Sequence, residues 1–160
     1  MPNDTRIVYR RNLLNKLLDN VWEYPLTLVE APMGYGKTIA VKSFLQNSGV
    51  MVLWQTIFDS SPIIFGNSFS RLFRALNLSY TSSLIALGVA TDHVLKEEAV
   101  EVIGGMKIPD RTVIVFDDYH MLTSNEIDQF IERLVKAKIP SLHIVVISRN
   151  AFGENTVELT

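Results

Sequence analysis

Residues 31–38 read Ala31-Pro32-Met33-Gly34-Tyr35-Gly36-Lys37-Thr38, and the reading of this octapeptide decides the fold. It matches the phosphate-cradling pattern G-x-x-x-x-G-K-[ST], with Ala31 in place of the first glycine. Gly34 and Gly36 let the backbone turn so that successive N–H groups point inward at phosphate oxygens. A helix starting at that point adds its positive dipole end. The Lys37 ammonium reaches toward β- and γ-phosphates, and the Thr38 hydroxyl is a ligand for Mg2+. Tyr35 is a filler position, and Ile39 completes the stretch. Such a loop works only between a buried strand and a helix, so the flanks must supply both.

They do. Leu26 to Glu30 reads as a buried strand before the loop. After it, Val41, Phe44 and Leu45 form a helical stripe that ends near Ser48–Gly49, where glycine suits a helix terminus. Val50 to Ile57 is apolar and β-prone. Phe65, Phe69, Leu72, Phe73 and Leu76 follow the 3.6-residue period and predict one helix. Residues 79–90 are ambiguous, and Asp92 to Ile103 predicts a helix closed by Gly104–Gly105. Thr112 to Asp117 is an almost unbroken apolar strand. Thr123 with Glu126 fits a capping box ahead of the helix carrying Ile127, Phe130, Ile131 and Leu134. Leu142 to Ile147 is the last clear strand, and residues 149–160 are polar and indistinct. At the other end, Leu13, Leu14, Leu17 and Leu18 predict a short amphipathic helix over 11–19, stopped by Pro25. Strands apolar on both faces, alternating with helices, imply an α/β fold: a three-layer P-loop NTPase with a mostly parallel sheet of four to five strands and helices on both faces.

A second chemical element lies at the end of one of these strands. Val113-Ile-Val-Phe-Asp117-Asp118 buries four apolar residues and brings an acidic pair out at the carboxyl end, where open α/β sheets bind ligands. Asp117 takes the place of the Walker B carboxylate that holds magnesium, and Asp118 is the candidate to polarise an attacking water. Arg149, closing the run from Leu142, stands where a strand-tip residue can contact the γ-phosphate and report its loss. His93, His120 and His143 have no metal-ligand spacing, and His120 is read as a turn residue. Trp54 and the Phe65/Phe69/Phe73 stripe read as core.

The bulk properties bound what else is possible. The 160 residues suit one domain, 1–160; 48% are apolar and 20% charged, the profile of a globular core. No run of eighteen apolar residues offers a membrane span. Met1 to Asn12 lacks an apolar signal core, so the expectation is cytoplasmic. The absence of cysteine excludes disulfides, thiolate catalysis and cysteine-ligated zinc. The net charge is −2 and the fifteen Lys and Arg are scattered, not gathered into the basic patch of a DNA-gripping surface.

With these residues assembled, the sequence resembles the ATPase domain of the MalT-type, LuxR-family transcription regulators, which are signal-transduction ATPases with numerous domains (NACHT/STAND-like). The similarity runs over nearly the whole chain. Leu26 to Thr38 resembles that family's "LTLVxAPAGYGKTT" stretch, where Ala in the first Walker position is itself typical. Val52-Leu-Trp54 with Ile57 and Phe65 resembles "vaWlsLd…F". Val115-Phe-Asp117-Asp118-Tyr119-His120 matches "LVLDDYH", and Pro140 to Arg149 matches "P.LHLVIxSR". Val8-Tyr-Arg10 with Leu13 is similar to "V.R..L..L", which implies an adenine contact for Arg10, with Arg11 as its substitute. Met33 replaces the usual Ala, Ile39 replaces a second Thr, and the acidic "D..D.dp" stretch is reduced to Asp59.

The resemblance implies a switch that binds ATP or ADP with Mg2+, hydrolyses ATP slowly and self-associates when ATP-bound. It also implies a sensor region and a helix-turn-helix for DNA further along a longer chain, of which 1–160 is an N-terminal fragment. Two other readings share the phosphate cradle. One is a small-molecule or nucleoside kinase, which needs a basic lid that the few arginines between 71 and 111 do not form. The other is a non-hydrolysing module that keeps the nucleotide as a structural ligand.

Overall fold

Thr112–Asp117 (β3) is buried at every position, because it runs through the interior of a parallel sheet and meets side chains on both faces. The computed structural model describes residues 21–30, 36–58, 61–88 and 92–149. Besides β3, the strands are Leu26–Glu30 (β1), Val52–Thr56 (β2) and Leu142–Ser148 (β4), in the order β1-β4-β3-β2. All three pairings are parallel, with Leu26 beside Ile144, Thr112 beside Leu142 and Val52 beside Val113. The expected parallel sheet is therefore present with four strands among the described residues. The order places β4 between the strand that leads into residues 31–38 and the strand that ends at Asp117.

The helix after the loop, Lys37–Ser48 (α1), begins at Gly36 (φ 69°) and ends at Gly49 (φ 66°). Both sit in the left-handed region that a Cβ disfavours. Pro62–Leu72 (α2) starts with Ser61 as N-cap and proline in its first turn. It is shorter than the apolar period suggested: the chain tightens to a 3₁₀ turn over Phe73–Ala75. The ambiguous stretch is a helix, Leu78–Leu87 (α3), whose start is fixed by the Asn77 side chain accepting the Ser79 N–H at 2.9 Å and whose end is Gly88 at φ 76°. His93–Gly104 (α4) is capped by Asp92, which accepts the Leu95 N–H at 2.9 Å. Asn125–Lys136 (α5) corrects the expected capping box by one residue. Ser124, not Thr123, is the N-cap and accepts from the Ile127 N–H, while Glu126 receives a bond from the Ser124 hydroxyl. The helix predicted over 11–19 lies outside the described residues.

Alternation along β3 divides the core in two. Ile114 and Phe116 join the larger cluster with Phe65, Phe69, Leu84, Ile103, Ile127 and Phe130, so α2 to α5 cover that face. Val113 and Val115 join Val29, Val41, Leu45, Val145 and Ile147 beneath α1. Helices on both faces make the three layers, and the phenylalanine stripe is core as expected. Phe69 is fully buried, edge-on to Phe130 at 5.1 Å and stacked on Phe116 at 6.2 Å between ring centres. No described helix is long and apolar enough to cross a membrane.

Candidate functional site

The carboxyl end of β3 meets the amino end of α1, and there two residues 79 apart in sequence come together. The Thr38 Oγ1 hydroxyl donates to Asp117 Oδ1 at 3.1 Å. Asp117 is only 5% exposed and also accepts the Asp118 N–H, at 2.8 Å. Burial pushes its carboxyl above the usual carboxylate range. The Asp118 N–H opposes that shift, the Asp118 carboxylate adds to it, and Thr38 and Lys42 draw it back. A partly dehydrated carboxylate of this kind attracts positive charge. Its neighbour is a hydroxyl oxygen, and hard oxygen donors suit Mg2+, which takes one or two protein ligands and completes its shell with phosphate oxygens and water. The donor set therefore fits that ion. Among the described residues no cluster of three or more His, Asp or Glu forms an all-protein cage.

Asp118 is half-buried and adopts left-handed backbone angles, φ 56° and ψ 39°, at the start of the 3₁₀ turn Tyr119–Met121. Aspartate tolerates that region better than most residues. The turn is held on two sides. The buried Tyr119 hydroxyl donates to Asp128 of α5, and burial, followed by Asp128, pushes the phenol well above its ordinary range. On the other side, His120 Nδ1 accepts the backbone N–H of Arg149 at 3.2 Å. Burial, above all, pushes the His120 imidazolium below its ordinary value. Arg149 and Lys37 push it the same way, while Asp118 and Asp117 oppose them. One ring thus feels four charged groups from three elements.

The other expected site residues divide clearly. Gly36 has the left-handed backbone the loop requires, and its carbonyl accepts the Ala40 N–H at 2.9 Å. Lys37 is half-buried at the first position of α1. The Ile39 side chain is 70% exposed. Arg149 is half-buried directly after β4. Ala31, Pro32, Met33, Gly34, Tyr35 and Arg10 lie outside the described residues, as does Asp59.

Two residues escaped the sequence reading. His120 is not a mere turn residue, since it bonds the tip of β4. Lys42 bears on Asp117 and lies over the half-buried Trp54 ring, 5.0 Å from its centre. Trp54 packs against the core cluster beneath α1, as expected, while remaining half-buried. Lys42 was findable, being one helical turn beyond Thr38.

Fold and site together define a three-layer, P-loop-like α/β domain with a Thr–Asp pair at the carboxyl edge of its sheet. The curated relatives of this chain are MalT proteins. It is 30% identical over 147 residues to the HTH-type transcriptional regulator MalT of Vibrio parahaemolyticus, which covers 89% of this chain and 16% of that protein. It is 29% identical over 147 residues, with the same coverage, to the HTH-type transcriptional regulator MalT of Vibrio campbellii. The relationship is MalT-like, and the chain spans 16% of the length of these relatives. No protein-family model matches it.

Proposed function

We propose that this chain is an ATP- and ADP-binding switch domain of a transcriptional regulator, with slow hydrolysis of ATP. The observation that carries the reading is the Thr38–Asp117 hydrogen bond. It joins the last residue of the phosphate-loop pattern to the carboxylate at the end of β3, and these are the two protein oxygens such a site uses for magnesium. Similarity to two regulators supports the cellular role.

In this reading the backbone N–H groups of residues 31–39 cradle the phosphates and Lys37 holds the β- and γ-oxygens. Thr38 and Asp117 hold Mg2+, which when bound neutralises phosphate charge. Asp118 orients a water against the γ-phosphorus and accepts its proton as the bond to the β–γ bridging oxygen breaks, leaving ADP and phosphate. Arg149 bonds the γ-phosphate and loses that partner on hydrolysis. Arg10 contacts the adenine. Self-association in the ATP state and DNA contact through a helix-turn-helix belong to parts of a longer protein.

One titration tests this. A fluorescent ATP analogue with Mg2+ should bind the wild-type protein and be displaced by ATP and ADP. Lys37→Ala should weaken ATP by about tenfold or more, because a charge-assisted phosphate contact is lost. Asp118→Asn should keep binding and lose turnover. A wild-type protein that ignores both nucleotides, or a Lys37→Ala variant that binds ATP as tightly as wild type, refutes the assignment.

A further inference from the structure

The paired register of β3 and β4 ends at Phe116 and Val146. Beyond it lie the residues with chemistry to perform, Asp117 and Asp118 on one strand end and Ser148 and Arg149 on the other. The hydrogen bond from the Arg149 N–H to His120 Nδ1 crosses that gap at 3.2 Å. We propose that His120 is a positioning residue that locks the Arg149 end of β4 to the Asp118 turn, so that what Arg149 meets is felt at Asp118.

Three features make the link suited to this. An Nδ1 that accepts a bond is unprotonated, so the neutral ring carries its proton on Nε2. That Nε2 is buried and makes no hydrogen bond among the described residues, which leaves the Arg149 amide as the ring's one hydrogen-bond anchor among them. Next, the left-handed Asp118 turns the chain within a single residue, and the Met121 N–H closes the turn on the Asp118 carbonyl at 2.9 Å. Asp118 and His120 therefore move together. Finally, the turn's other anchor, the bond from Tyr119 to Asp128, goes to α5 in the packed core. Tyr119 is thus the fixed mount and His120 the contact that can follow β4. A phosphate seized by Arg149 pulls on its own backbone, and the imidazole passes that displacement to the residue that orients water.

The inference rests on the nucleotide reading above, so the experiment separates the two. Mg-ATP and Mg-ADP affinities are measured for wild type, His120→Leu and His120→Asn. Leucine keeps apolar bulk without an acceptor, whereas the asparagine Oδ1 can take the place of Nδ1. His120→Leu should weaken ATP about tenfold while ADP stays within about twofold, the scale of one lost hydrogen bond felt only with the γ-phosphate present. His120→Asn should recover most of the loss, which a merely structural role for the ring would not allow. An unchanged ATP-to-ADP ratio in His120→Leu, or equal impairment in both variants, overturns the inference alone. A wild-type protein without nucleotide binding overturns the earlier reading and this one with it. Hydrogen exchange reads the bond without nucleotide: the Arg149 amide should be protected in the wild type and in His120→Asn. An Arg149 amide that exchanges unprotected in the wild-type protein overturns the inference whatever the variants do.

Discussion

Replacing Asp117 by Asn should make the metal-free protein more stable and the nucleotide-bound protein less so. Asparagine keeps an oxygen where Oδ1 now accepts the Thr38 hydroxyl and the Asp118 N–H, so both bonds survive. What disappears is a negative charge that is 5% exposed, adjoins the Asp118 carboxylate and has Lys42 as its compensating cation. In the folded state burial holds its carboxyl above the ordinary value, so the charged form is disfavoured by folding. That penalty is complete above the raised folded value and vanishes below the ordinary unfolded value near pH 4. The wild type therefore carries it at neutral pH and sheds it on acidification. Removing a penalty of this kind at a functional site stabilises by about 0.5–2 kcal/mol. In a chain of this length that corresponds to roughly 2–4 °C in Tm per kcal/mol.

Thermal unfolding followed by circular dichroism in EDTA provides the assay. At neutral pH the Asp117→Asn variant should melt higher, and near pH 4 the two curves should approach each other. Saturating Mg-ATP should then reverse the ranking, because a ligand stabilises only the protein that binds it, by RT ln(1 + [L]/Kd). A variant that melts lower than wild type in EDTA at neutral pH would make the carboxylate a structural anchor for Thr38. Equal stabilisation of both proteins by Mg-ATP would remove Asp117 from the metal site.

Two further substitutions test the scaffold. Phe69→Ala deletes a fully buried ring that touches Phe65, Phe73, Phe116 and Phe130, and should cost about 3–5 kcal/mol in urea unfolding; a loss below about 1 kcal/mol contradicts the packing described. Gln55 lies on the same face of β2 as Leu53 and Ile57, with a buried Oε1 that has no hydrogen-bond partner among the described residues. Gln55→Met should therefore stabilise by about 1 kcal/mol, and a destabilised variant would mean that the amide has a partner.

The sequence exposed what chemistry or burial constrains side by side and concealed what depends on a distant backbone. The apolar run of β3 and the acidic pair after it are legible because a central parallel strand needs the first and a ligand edge needs the second. The helix over Leu78–Leu87 was not legible, because serines occupy much of its surface. The hydroxyls of Ser82 and Ser83 bond back to Leu78 and Ser79 carbonyls one turn earlier, so residues that usually mark loops are absorbed by the helix itself. Thr123 and Ser124 are equally good caps on paper, and the fit of Ile127 into the core selects Ser124. His120 could not be found by spacing, because its partner is a main-chain N–H, and any residue at position 149 other than proline would offer one.

Strand order explains why the site has the members it has. β1 and β3 are not neighbours, so the amino end of α1 and Asp117 at the end of β3 meet only because α1 crosses the intervening β4. Val41 and Leu45 of α1 pack in one cluster with Val29 of β1, Val145 and Ile147 of β4, and Val113 and Val115 of β3. That contact carries Thr38 across to Asp117 and fixes the 3.1 Å between them. The same order leaves the end of β4 in the gap, so whatever residue follows Ser148 must emerge between the ends of β1 and β3. Arg149 is there by topology, and its charge is what makes the position useful. Truncating Val41 or Leu45 to alanine leaves both members of the pair in place but opens a cavity beneath α1, and should loosen the Thr38–Asp117 contact. Mg-ATP affinity unchanged from wild type in a folded variant would refute this.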